Sequence, residues 1–334
     1  MFNHYLAIDW AMSNIAIARM TSTSAQIKVI ETKSDIKDLK AYLQNLKGSI
    51  CLTIEESTAS QWLYVELKEF VDKMIICDPY RNKLLSEGGK NDKIDAAKLV
   101  KLLRADLLKE VFHSNDKLIE LRKLVSGYDD LIKSGVRMKC QRSALFRGVN
   151  KDHKKEKSLE SSSEAFVLEG LDKQIQNYEE EKKRYFAQFR KLKKIHPQIK
   201  LISEIPGMGD ILAVKVVARV VDAKRFPTRN HFYSYCGLIK LDRISAGKSY
   251  GQKTPRYCRT LKSVMKIAVT NSFDGPNSFA KYYEKLIVEK NMPPHDARNA
   301  LARKIAATVY GVLKSGKSYS DSIARNGYVD KVDI

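Results

Sequence analysis

Cysteine is scarce and shows no pairing pattern. The five residues, Cys51, Cys77, Cys140, Cys236 and Cys258, are odd in number, widely spaced and never arranged as CxxC. That usage fits reduced thiols in a cytosol better than a disulfide framework or a zinc-binding module. No apolar run reaches the ~18 residues a membrane span requires, so no membrane partner is expected. No Walker-type phosphate loop occurs, so no dependence on ATP is expected. The N-terminal segment lacks a basic leader and carries Asp9 within its apolar stretch, so it is not expected to act as a signal peptide. Acids are also in short supply, with 39 Asp and Glu against 60 Lys and Arg, for a net charge of +21.

That excess is not evenly spread. Residues 1–110 carry about +1 and residues 111–334 about +20, and within 211–270 thirteen basic residues face only Asp222 and Asp242. A field so positive points to a polyanion, most simply nucleic acid, because Lys and Arg release counterions from phosphates. A merely soluble basic protein is the plain alternative. At 334 residues and 43% hydrophobic content the chain can form two or three domains.

Residues 5–31 read as three short strands, YLAID, NIAIARMT and AQIKVIET, separated by tight connections. SDIKDLKAYLQNL predicts a helix capped by Ser34, with Ile36, Leu39, Leu43 and Leu46 on one face. ICLTIEE (strand), SQWLYVELKEFV (helix) and KMIICD (buried strand) follow, and a last helix begins near Asn91. The order β-β-β-α-β-α-β-α predicts a mixed sheet flanked by helices over residues 1–112. Residues 113–199 change character. Leu118, Leu121, Val125, Tyr128 and Ile132, then Leu168, Leu171, Ile175, Tyr178, Lys182, Tyr185, Phe189 and Leu192, recur at 3,4 spacing, which predicts a coiled-coil helical hairpin ended by Pro197. Residues 200–334 predict a mainly α-helical domain. It opens with a helix-hairpin-helix-like IPGMG, whose Gly207 and Gly209 could present amides to phosphate.

Four acids of the first region fall on these elements in a suggestive way. Asp9 ends the first strand, Glu55 ends the fourth, and Asp92 and Asp95 lie at i and i+3 on the last helix. In a ribonuclease-H-like arrangement strands one and four are neighbours and that helix crosses their ends, so the four carboxylates would converge. A cation makes such a cluster tolerable, and hard oxygen ligands select Mg²⁺ or Mn²⁺, two ions being able to clamp a phosphodiester. Singly, each acid has a plainer reading: Asp92 as a helix cap, Asp9 as a turn residue, Glu55 as a solvated acid with Glu56 equally placed.

These residues carry a resemblance. AIDWA (7–11), TIEEST (53–58), GGKNDKIDAAKL (88–99), IPGMGDILAVKVVARV (205–220), RFP (225–227), YCGLIKLDRISAGK (235–248) and HDARNALARK (295–304) resemble, in order, the DEDD-type transposases of the insertion sequence one-ten group, which includes Piv-like invertases. The resemblance implies a RuvC-like domain with Asp9, Glu55, Asp92 and Asp95 as metal ligands, a coiled-coil insertion and a C-terminal transposase domain. It also implies a serine that attacks DNA, here Ser245, and in some members a bridge RNA pairing with target and donor DNA. The sequence departs from the family in Met12 where Lys is common, in Ser245-Ala246-Gly247 for Ser-Gly, and in TPRYC (254–258) for a Ser-Lys-x-Gly-Asn pattern.

Around Ser245 the stretch RISAGKSYGQKTPR offers Arg243, Lys248, Lys253 and Arg256, followed by Arg259, cations suited to a phosphodiester. Asp242 is its nearby acid, so activation of Ser245 is expected to need the metal site of its own or a partner subunit. Ser249, Tyr250 and Tyr257 are the alternative nucleophiles, and a phosphate-contacting serine is the plain one. Lys133, Arg137, Arg142 and Arg147 could track a nucleic-acid backbone or simply face solvent, and Phe232, Tyr233 and Tyr235 could stack on bases or fill a core. The expected protein is a DNA recombinase acting on target and donor DNA, guided by RNA, as a homodimer or homotetramer in the cytoplasm and nucleoid. A RuvC-like nuclease using water, an invertase without guide RNA, and a non-catalytic nucleic-acid-binding protein are its competitors.

Overall fold

A computed structural model describes residues 1–82, 91–114 and 117–320, with the backbone alone at 81 and 82. The chain divides into two units, Met1–Asp116 and Lys117–Ile334, and the hairpin helices belong to the second. The N-terminal unit is mixed α/β and the rest is mainly helical, as the periodicities predict. No helix among the described residues is long and apolar enough to cross a membrane.

In the first unit β1 (His4–Trp10), β2 (Asn14–Thr21), β3 (Lys28–Lys33), β4 (Ile50–Glu55) and β5 (Lys73–Cys77) form one sheet in the order β3-β2-β1-β4-β5. β1–β2 and β2–β3 pair antiparallel, whereas β1–β4 and β4–β5 pair parallel, with Ile8 opposite Ile54. Side chains alternate between two buried faces. Leu6, Ile8, Ile15, Ile17, Leu52 and Ile54 meet Leu39 and Leu43 of α1 (Ile36–Gln44) and Leu63 and Leu67 of α2 (Ser60–Leu67). The opposite face is built from smaller residues, Ala7, Ala16, Ala18 and Cys51, so a helix can approach closely. Ala96, Leu99, Val100 and Leu103 of α4 (Asp92–Arg104) fill it.

One local detail differs from expectation. The cap of α1 is Asp35, which accepts from the amides of Lys37 and Asp38, while the Ser34 hydroxyl donates to the Ala11 carbonyl at 2.7 Å. After Pro79 the chain forms a single helical turn, α3 (Pro79–Asn82), because proline is well placed at a first helical position.

In the second unit α5 (Leu121–Gly148) and α6 (Ser162–Ile195) run antiparallel: Tyr128 meets Phe189 near one end and Arg142 bonds Asp172 near the other. Glycines make room for tyrosines along this pair, since a Cβ at Gly135 would collide with the Tyr178 ring. At its base Leu121, Val125, Tyr128, Phe189 and Leu192 share one core with α7 (Pro197–Ser203), α8 (Gly209–Val220), α9 (Arg229–Tyr235), α10 (Arg259–Asn271), α11 (Ser278–Val288) and α12 (Pro294–Ser315). The one sheet in this unit among the described residues is a hairpin, β6 (Leu241–Ser245) and β7 (Lys248–Lys253), whose side is solvent-exposed throughout.

Candidate active site

Strand alternation decides where the first two acids lie. Asp9 follows Tyr5 and Ala7 on the face covered by α4, and Glu55 follows Cys51 and Thr53 on that same face. Because Ile8 and Ile54 are register partners, Asp9 and Glu55 sit on adjacent strands one step further on. Glu56, exposed and past the strand end, is not among the charges acting on Asp9.

The helix supplies the other two. Its N-cap is Asn91, whose side chain accepts from the Lys93 amide at 3.0 Å, so capping does not account for Asp92. Asn91→Ala should therefore lose about 1 kcal/mol by freeing that amide, read as a lower thermal midpoint of the first unit. Asp95 has its own i,i+3 contact with Lys98 at 4.0 Å.

Electrostatics tie the four acids together. Burial, followed by the charges of Asp92, Glu55 and Asp95, pushes the Asp9 carboxyl up to about 6. Coupling of that kind requires proximity. Even so, among the described residues no three His, Cys, Asp or Glu side chains close into a group that could encircle an ion. Four carboxylates are an all-oxygen donor set of the kind that suits a hard divalent cation.

Ser245 is the last residue of β6 and pairs with Lys248 across a two-residue turn in which Ala246 and Gly247 both have positive φ, 47° and 74°. The serine is exposed, as are Arg243, Lys248 and Lys253. Asp242 accepts from the Gln252 side-chain amide at 2.9 Å, which commits that acid to a neighbour on the paired strand. Arg256 follows the hairpin and Arg259 opens α10, where Arg259, Lys262, Ser263, Lys266 and Thr270 line a shallow cleft beside Tyr257. Tyr250 is exposed, and Tyr257 lies under the Lys262 ammonium at 4.4 Å.

The two glycines of IPGMG differ. Gly207 (φ 84°) faces the Ala268 carbonyl of α10, where a Cβ would collide, and its own carbonyl accepts from Asn271 at 3.2 Å. Gly209 (φ 53°) starts α8 with open space around it. Gly207 is thus required for packing, and Gly207→Ala should destabilise the second unit by more than about 2 kcal/mol, seen in chemical denaturation. Phe232 is fully buried and Tyr235 half-buried, while Arg142 and Lys133 are held by Asp172 and Asp130. None of the five cysteines forms a disulfide.

Comparison with known proteins now becomes informative. Residues 6–150 match the DEDD transposase profile of the IS110 group, and residues 199–284 match the family described as Transposase IS116/IS110/IS902. A mixed α/β unit followed by a mainly helical one is consistent with a DEDD transposase. The chain belongs to the IS110 family of these proteins. It is 25% identical over 154 residues to "Insertion element IS110 uncharacterized 43.6 kDa protein" of Streptomyces coelicolor, covering 46% of this chain and 38% of that one. It is 28% identical over 137 residues to "Putative transposase y4pF/y4sB" of Sinorhizobium fredii, covering 39% of this chain and 35% of that one. In both cases the match spans less than two-fifths of the relative's length.

Proposed function

We propose that the protein is a DNA recombinase that breaks and rejoins strands through a serine-linked intermediate, with Asp9, Glu55, Asp92 and Asp95 as the ligands of Mg²⁺ or Mn²⁺. The reading assigns residues 1–112 to a RuvC/ribonuclease-H-like domain, residues 113–199 to a coiled-coil arm and residues 200–334 to the transposase domain. The observation that carries it is the placement of Asp9 and Glu55 at the ends of neighbouring strands β1 and β4, one step past the register partners Ile8 and Ile54, on the face packed by α4, whose first turn bears Asp92 and Asp95.

Divalent ions held there would neutralise the four carboxylates and polarise the phosphodiester under attack. The remaining steps belong to the chain. The Ser245 oxygen forms a bond to phosphorus as the bond to the sugar oxygen breaks. The serine proton departs to a base and the leaving sugar oxygen takes one up, so each phosphodiester broken is replaced by one formed and no ATP is consumed. Arg243, Lys248 and Lys253 of the hairpin, with Arg256 and Arg259 in the segment after it, would supply phosphate-binding cations, and Gly209 would offer amides at the start of α8. Activation of the exposed hydroxyl calls for the acid site of the same or a partner subunit, and the assembly in this reading is a homodimer or homotetramer. A bridge RNA pairing with target and donor DNA follows from the family resemblance and is part of the proposal.

The test is Mg²⁺-dependent cleavage of element-end DNA, with co-expressed flanking RNA, by wild type and Ser245→Ala. Loss of both cleavage and joining in the variant supports the recombinase. Cleavage at the wild-type rate by Ser245→Ala would leave a nuclease using water, with Ser245 reduced to a phosphate contact.

A further inference from the structure

Three arginines from three elements of the second unit meet around the end of α8. Arg122 near the start of α5 donates through Nε to the Ala218 carbonyl at 3.2 Å. Arg219 in the last turn of α8 donates to the Ser126 hydroxyl at 3.1 Å. Arg225, just beyond, donates to the Arg219 carbonyl at 3.2 Å and lies against the rings of Phe226 and Tyr235 at 4.4 and 4.6 Å. The Tyr235 hydroxyl also reaches the Arg219 carbonyl, at 3.4 Å.

Helix capping explains part of this arrangement, since the last carbonyls of α8 attract cations. It does not explain the amount of charge. A helix end presents roughly half an elementary charge, whereas Arg122 and Arg219 alone bring two whole ones into a half-buried setting. Among the described residues neither has a carboxylate partner. The nearby acids are committed elsewhere, Asp129 to Lys215 and Asp222 to the amide of Lys224. Each guanidinium has five N–H groups, and one bond apiece leaves most of them available; Nε of Arg219 is buried without a partner. Burial lowers the affinity of Arg122 for its proton; Tyr235 and Cys258 oppose that shift, and the charges of Arg225 and Arg219 add to it.

The cluster also lies beside the segment that follows the serine hairpin. The Cys258 amide donates to the Tyr235 carbonyl at 2.8 Å, fixing the segment that leaves β7 and enters α10 beside the arginines. We propose that Arg122, Arg219 and Arg225, with the hydroxyl of Ser126, form an anchor for the phosphodiester backbone of the nucleic acid handled by this unit. Forked guanidiniums match phosphate oxygens in pairs, and a bound phosphate supplies the missing negative charge. The anchor rests on the reading of this unit as a nucleic-acid-handling domain. It does not require Ser245 to be a nucleophile. DNA and RNA share the chemistry that the cluster recognises.

The experiment uses the full chain in EDTA, which separates binding from catalysis. Fluorescence anisotropy is recorded with a labelled duplex DNA of the element end and with the flanking RNA across a salt series, for wild type, Arg219→Met and Arg122→Lys. For Arg219→Met the expected result is roughly tenfold weaker binding of one or both polymers, with the slope of log affinity against log salt reduced by about one. Its thermal midpoint without nucleic acid should be unchanged or higher, because mutual repulsion is relieved. Arg122→Lys, which keeps the charge and loses the fork, should weaken binding less and keep the fold. Loss confined to DNA or to RNA identifies the polymer anchored. Unchanged affinity and slope for both polymers in both variants would overturn the anchor, as would a lower midpoint with unchanged binding. A wild type that binds neither polymer would sink the proposed function as well, whereas weaker binding by the variants alongside a wild type inert in Mg²⁺ would sink only the catalytic reading.

Discussion

Ser245→Ala should abolish strand rejoining, with a loss of at least roughly a thousandfold, and leave the fold intact. The serine is exposed at the end of β6, next to the two-residue turn, and no core residue leans on it. Stability should therefore change by no more than about 0.5 kcal/mol. The separation of effects is the point, because a residue whose removal costs activity without stability is acting on substrate. Ser249→Ala, Tyr250→Phe and Tyr257→Phe, measured in parallel by joining assays on labelled ends, should retain joining. Transfer of the defect to any one of them would move the nucleophile there.

Asp9→Asn should raise the thermal midpoint of the first unit at pH 7.5 without divalent metal, while eliminating detectable cleavage. The sign follows from linkage. With the folded carboxyl at about 6 against an ordinary 3.8, the folded state holds more protons between these values. The favourable difference is full below about 4, shrinks as pH rises through 6, and above that ionised Asp9 is a net cost to folding. Partial exposure and solvent screening hold this cost to about 1–2 kcal/mol. The variant's advantage, worth several degrees at neutral pH, should vanish near pH 4. Mg²⁺ should then stabilise wild type, by about 2.7 kcal/mol at a concentration one hundred times its Kd, and have little effect on Asp9→Asn. Calorimetry across pH, with and without Mg²⁺, checks both parts. A midpoint lowered by Asp9→Asn at neutral pH would show that Asp9 makes contacts the fold needs.

The acid site was legible in part. Alternation groups Asp9 with Ala7 and Glu55 with Cys51, but which faces of the two strands coincide, and hence Glu55 rather than Glu56 beside Asp9, is set by the β1–β4 register and is not legible in sequence. Asp92 was ambiguous until Asn91 was found in the capping role. Ser34 was mistaken for a cap because Asp35 beside it has equal chemistry, and only the turn geometry separates them. The β6–β7 hairpin could not be foreseen. Its strands bury nothing, so RISAGKSYGQK has no apolar period, and Ala246-Gly247 occupies a turn more often marked by Asn-Gly. The arginine cluster is invisible for another reason: its members come from positions about one hundred residues apart, and no local pattern joins Arg122 to Arg219. Gly207 and Gly209 looked alike in sequence and separate only when α10 is seen against the first.

The measurement closest to the central claim is adduct mapping on a suicide DNA substrate, with Mg²⁺ and the co-expressed flanking RNA. After denaturation, the account predicts a protein–DNA adduct that mass spectrometry places on Ser245 and that is missing from Asp92→Ala. Cleaved DNA with no adduct, or an adduct that persists in Asp92→Ala, would contradict it.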